Sequence, residues 1–231
     1  MKMKMLLLCS VLMLGPAAAD EIDPIRAQNL TRCAAHDVDR SIAACSALIL
    51  SGQDTGLKLA ALYQRRGIAY YNKGLPDLAI ADQTTVITLQ PQVASAWYDR
   101  AEAYLSQGQF DLAIADYTQA IALKPAYGEA WSDRGVAYAG KGMADQAIAD
   151  YTKAIALQPG FAEAWCERGI AYKGKGQLDL AIADYTKAIV LQPDYGRAYY
   201  NRGLARKAKG DLAGGETDIT WARQNDPASV K

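Results

Sequence analysis

Five of the eight prolines, Pro91, Pro125, Pro159, Pro193 and Pro227, stand 34 residues apart, and Gly74, Gly108, Gly142, Gly176 and Gly210 keep the same interval. A fixed period of this length restricts a chain to stacked copies of one small unit, because each copy leaves an apolar face that only its neighbours can cover. The segments Ala113 to Pro125 (AIADYTQAIALKP), Ala147 to Pro159 (AIADYTKAIALQP) and Ala181 to Pro193 (AIADYTKAIVLQP) are almost identical, and Ala79 to Pro91 (AIADQTTVITLQP) is a looser copy.

Within a unit the apolar and small residues recur at helical spacing: Trp131, Gly135 and Tyr138, then Ala147, Ile148, Tyr151, Ala154 and Ile155. Gly142 suits the left-handed residue that closes a first helix, and Pro159 cannot continue a second. The short connection makes the two helices antiparallel. The 43 alanines agree with this, since Ala favours helix and lets helix axes approach.

The set Trp131-x2-Arg134-Gly135-x2-Tyr138, Ala147-x3-Tyr151 and Pro159 resembles the tetratricopeptide repeat, at that family's period. The resemblance covers about 60 to 228 and implies an all-α, right-handed superhelical solenoid of antiparallel helix pairs. Its units are 60–93, 94–127, 128–161, 162–195 and 196–229, the last with a polar capping helix. It also implies that first helices line a concave groove for peptide or protein segments while second helices form the outer wall.

One departure is systematic. Arg66, Arg100, Arg134, Arg168 and Arg202 stand where the family commonly has Leu, and Asp82, Asp116, Asp150, Asp184 and Asp218 repeat at the same period. A partly buried charge needs a partner, so the two series predict a structural ion-pair ladder within or between repeats. The competing reading is a basic stripe for an acidic ligand.

One period before Gly67 and Ala79 stand Cys33 and Cys45, at places that hold small residues in the other units. Two helices that touch there bring the thiols within disulfide range, and Asp39 falls at the expected turn. A Cys33–Cys45 disulfide locking a degenerate capping repeat over 26–59 is therefore expected; two buried free thiols are the alternative. The polar stretch 51–56 reads as a loop, with Asp54 or Thr55 able to cap the next helix. His36, the one histidine, falls in the slot of Tyr70 and reads as packing or capping. Cys166 is left over, a shielded thiol or an intermolecular link.

Residues 1–19 read as an export signal: Lys2 and Lys4, an apolar core from Met5 to Leu14, and small residues up to a cleavage point between Ala19 and Asp20. A short linker, 20–25, follows. The expected location is periplasmic or secreted, with no membrane span after cleavage. The remaining 23 basic and 25 acidic residues give no electrostatic drive toward nucleic acid. No phosphate loop, catalytic-serine motif or metal-ligand spacing occurs, so neither an enzyme nor a cofactor is expected.

Function should then sit on the non-repeating residues of the first helices. Those expected in the groove are Tyr71, Tyr98, Glu102, Glu129, Asp133, Glu163, Cys166, Glu167, Lys173, Tyr200 and Lys207, beside Gln64, Ile68, Ser132, Arg197 and Leu204. The centre is acidic, which would repel an acidic tail and suits a basic or apolar protein partner. The reading is a non-enzymatic binding scaffold, an envelope assembly or biogenesis adaptor. The alternatives are a self-associating structural protein, a homo-oligomer, or ordinary solvated faces.

Overall fold

The computed structural model describes residues 23–230; the expected export signal with its Ala19/Asp20 cleavage point and residues 20–22 of the expected linker lie outside them. Among the described residues the chain forms twelve α-helices: α1 (Pro24–Cys33), α2 (Val38–Leu50), α3 (Gly56–Asn72), α4 (Pro76–Leu89), α5 (Ala94–Ser106), α6 (Phe110–Leu123), α7 (Gly128–Gly140), α8 (Ala144–Leu157), α9 (Ala162–Gly174), α10 (Leu178–Leu191), α11 (Gly196–Ala208) and α12 (Leu212–Asn225). A 3-10 turn, Pro227–Val230, closes the described chain against α11 and α12.

Each helix packs on its sequence neighbours, which makes a solenoid of paired antiparallel helices. The first helices α3, α5, α7, α9 and α11 also meet one another across repeats, whereas the second helices do not. The stack therefore curves toward the first helices, and these line its inner wall. The core is alanine with a large filler in three of the units: Tyr117, Tyr151 and Tyr185 are fully buried, and the ring of Tyr151 lies where a Cβ on Gly135 would stand 2.7 Å from Cε1. A side chain at 135 would evict that ring. Gly142 sits in the turn at φ +75°, a conformation open to glycine without strain.

The arginine and aspartate series meet within each unit. Arg134 donates from Nε and one terminal nitrogen to both oxygens of Asp150, at 2.7 and 2.9 Å, and the other four pairs repeat this two-pronged geometry. The aspartates are nearly fully buried. The remaining guanidinium nitrogen reaches the previous repeat, where Thr118 Oγ1 accepts at 3.0 Å; Thr84, Thr152, Thr186 and Ser46 serve the other four arginines. The guanidinium of Arg134 lies between the rings of Trp131 and Tyr138, 4.7 and 5.8 Å from their centroids. Trp131 in turn donates its indole N–H to the carbonyl of Pro125.

At the N-terminal end Cys33 and Cys45 are joined, with Cα atoms 4.9 Å apart. Their register differs from the expected one. Ser46 takes the role of Thr84 toward an arginine, and Asp39 bonds Lys73 as Asp77 bonds Gln107, so α2 aligns with α4 at an offset of 38 residues rather than 34. Cys45 consequently occupies the slot of Gln83, one helical turn beyond the expected slot of Ala79. The turn lies at 34–37, with Asp39 already inside α2 and His36 exposed in the turn. The displaced turn reappears in the loop after α2. Neither loop residue caps α3 as expected: Thr55 occupies the N-cap position without a side-chain hydrogen bond, and Asp54 is buried against Arg26 at 2.6 Å. α3 also starts at Gly56, ahead of the unit boundary at 60.

Two outcomes follow. Truncating Arg134 to Ala strands a buried Asp150 and is expected to cost about 3–5 kcal/mol in chemical denaturation, while Arg134→Ala with Asp150→Ala costs less than the two single losses added. Replacing Cys33 and Cys45 by Ala is expected to lower stability by about 2–4 kcal/mol, with lost hydrogen-exchange protection concentrated in α1 and α2.

Candidate functional site: the inner wall

The inner wall carries two kinds of side chain, those tied to a neighbour and those left over. Tyr98 O–H donates to Asp133 at 2.7 Å on the next first helix, and Gln64 makes the equivalent reach toward Asp99, 34 residues earlier, at 3.5 Å. Tyr117 donates to Glu102. Gln158 donates to Glu129 at 2.9 Å, Lys173 donates to Asn201 at 2.6 Å, and Glu167 is ion-paired with Arg197. Of the expected groove residues, therefore, Tyr98, Glu102, Glu129, Asp133, Glu167 and Lys173 fasten one part of the stack to another.

Three positions depart from expectation. Cys166 is wholly buried, in a core cluster with Tyr185 and Ala198, so it packs rather than faces a ligand. Burial pushes its thiol up to about 12, which leaves it neutral and unreactive, and its position closes the intermolecular disulfide route. Ser132, in the same slot one repeat earlier, is also buried. Lys207 is engaged by Glu216 on α12, 2.9 Å distant. Tyr71, Glu163 and Tyr200 stay without a side-chain hydrogen bond among the described residues, with Ile68 and Leu204 exposed beside them.

Asp99 is a central residue that the reading passed over. It stands one period before Asp133, in the row Arg65, Asp99, Asp133, Glu167, Asn201, so stepping back from Asp133 was the signal that pointed to it. Asp99, Glu102 and Asp133 have no ion-pair partner among the described residues and share a part of the wall with Tyr71, Tyr98 and Tyr127. Tyr98 and Tyr127 lie 4.9 Å apart, centroid to centroid. Burial, reinforced by mutual repulsion with Glu102, raises Asp133 to about 7 and Asp99 to about 6; burial raises Glu102 as well. The bonds from Tyr98, Gln64 and Tyr117 act the other way without cancelling it. Glu129 differs, because Gln158 and the backbone hold its carboxyl below the usual range. Asp99, Glu102 and Asp133 thus concentrate acceptor capacity with no ion-pair partner among the described residues.

Sequence profiles of the tetratricopeptide repeat match residues 60–93, 128–161 and 162–195, and a further TPR repeat profile matches 101–142. No curated protein matches the chain as a relative. Among solved structures it is similar to MamA, at 27% identity over 70% of this chain and 95% of that one, with a TM-score of 0.64. It is similar to PilW, described as a widely conserved type IV pilus biogenesis factor, at 22% identity over 72% and 77% of the chains and a TM-score of 0.66. It is also similar to a tetratricopeptide repeat protein from Parabacteroides merdae ATCC 43184, at 18% identity over 87% and 78% and a TM-score of 0.74. At their identities the last two bear on the fold alone.

The raised carboxyls have a measurable consequence. Between about pH 4 and 7 the folded protein binds protons that the unfolded chain has released, so their contribution to stability is full below the unfolded value and is lost as pH rises through 6 and 7. Asp99→Asn with Asp133→Asn is expected to be more stable than the parent at pH 8 by about 1–3 kcal/mol, with the gap closing toward pH 5 in urea titrations. A gap that does not depend on pH would contradict the assignment.

Proposed function

The chain belongs to the tetratricopeptide repeat family, and from that premise we propose that it is a non-enzymatic interaction scaffold whose inner wall binds a protein or peptide segment of basic or apolar character. The observation that carries the reading is the set of carboxyls, Asp99, Glu102, Asp133 and Glu163, that line first helices without an ion-pair partner among the described residues. A bound cation would supply that partner, and an acidic segment would be repelled. Tyr71 and Tyr200 offer broad contact surface at low entropic cost. The polar ties between first helices hold the wall in shape before binding, which reduces the ordering that a partner must induce.

The envelope is the compartment that this reading favours. A disulfide in the first helix pair suits an oxidising environment, and the leader-like segment over 1–19 agrees. An assembly or biogenesis adaptor there is the role proposed.

Crosslinking in an envelope extract tests the groove. A discrete partner is expected with the parent protein and with the outer-helix variant Lys187→Glu, and is expected to be lost when Glu163→Lys is combined with Tyr200→Ala. Equal recovery from all three places binding elsewhere.

Self-association remains the second reading, because the N-terminal end exposes Leu50, Leu57 and Ile25, at 84, 74 and 66% of their accessible surface. Light scattering decides it: a concentration-dependent mass that reverts to monomer on Leu50→Lys and Leu57→Lys is the expected sign, and a monomer at every concentration dismisses it.

A further inference from the structure

In three units the space between the paired helices is filled by a buried tyrosine, Tyr117, Tyr151 or Tyr185. In the α3–α4 pair Gln83 takes that place. Its side chain is shorter than a phenol ring, and a cleft opens beside it on the inner wall, lined by Ile68, Tyr71, Gln83, Tyr98, Asp99 and Glu102. Gln83 is 1% exposed at its floor. The amide nitrogen faces two acceptors, the carbonyl of Gln64 and Oδ2 of Asp99, each at 3.4 Å, which fixes the orientation of the group. Oε1 is then left buried with no donor.

A buried acceptor without a donor is rare in a folded protein and points to a missing partner. Here its residue lines a cleft with two carboxyl groups that have no ion pair among the described residues, and with Tyr71 and Tyr98. Among the described residues no three His, Cys, Asp or Glu side chains are placed to hold a metal ion, and the acceptors of this cleft are two carboxyls of α5 and the amide oxygen of Gln83 on α4. That distribution fits a planar cation with several N–H donors and a face that stacks on aromatic rings, which an ammonium point charge does not provide.

We infer that this cleft receives the guanidinium group of an arginine in the bound segment, with one N–H donated to Gln83 Oε1, others to Asp99 and Glu102, and Tyr71 and Tyr98 against its face. The inference rests on the inner wall being the binding surface and names one residue that the partner must present.

The probe is N-acetyl-arginine amide, titrated into protein with labelled tyrosine rings and followed by NMR, with the lysine and citrulline amides as comparators. Arginine is expected to shift the Tyr71 and Tyr98 resonances saturably, binding at least about tenfold tighter than the neutral citrulline and tighter than lysine. Gln83→Tyr gives this unit the filler that the other three carry. It should fold and lose arginine affinity by about tenfold or more. Asp99→Asn keeps the cleft's shape and removes one charge, so it should weaken binding in the same direction, and it decides the matter if Gln83→Tyr does not fold. No saturable shift, equal binding of citrulline or lysine, or unchanged affinity in the folded variant overturns the assignment. Partner capture in extract separates this from the groove as a whole. If capture depends on Glu163 and Tyr200 but arginine fails to bind, the groove stands without this cleft; if arginine binds but capture does not depend on the wall, only the wider reading falls.

Discussion

Each of the five full repeats is organised around one half-buried arginine. Its guanidinium engages both oxygens of an aspartate on the paired helix, lies near aromatic rings, and spends its remaining nitrogen on a hydroxyl of the previous repeat. A leucine at the same place would fill space in several orientations, whereas a planar fork with five donors accepts very few. Desolvating the pair opposes its attraction, so the gain over a leucine lies in specificity more than in net stability. The arginine fixes the angle within a unit, and its third nitrogen fixes the register between units.

That division of labour leaves the inner wall free to differ from repeat to repeat. Packing is carried by alanine, by the buried tyrosines and by the arginine nodes between paired helices. The wall is nevertheless not a row of independent side chains. Tyr98 with Asp133, Glu167 with Arg197 and Lys173 with Asn201 tie one first helix to the next, and a series of lysine–aspartate pairs, such as Lys141 with Asp111, ties each turn to the second helix of the preceding repeat. The curved wall buries carboxyl groups and brings them near one another, so Asp99 is raised to about 6 and Asp133 to about 7, by burial first and by repulsion from Glu102 second.

The two ends are finished by different means. The first pair is too short to bury much surface, with α1 only ten residues long, and a covalent link compensates. At the other end α12 gives up the buried tyrosine; Gly203 and Gly215 bring the two backbones into contact, and Tyr199 stacks on Trp221 at 3.8 Å.

Much of this was legible in the residues alone. A 34-residue period, helical spacing, and arginine and aspartate in matched series determine helix pairs, a stack and an ion-pair ladder, because periodicity is local information that any one unit contains. The cysteine pair was legible too, although by a register one turn out, since an insertion after α2 is invisible to a count that assumes a constant step. What only the tertiary structure decided is which first-helix residues remain free. Tyr98, Glu102 and Asp133 have the composition of a binding surface, yet their partners sit 15 to 35 residues away on other helices. The buried state of Cys166 and the cleft beside Gln83 depend likewise on how neighbouring helices approach. A side chain's type is written in its own position, but its commitments are set by what the fold places against it.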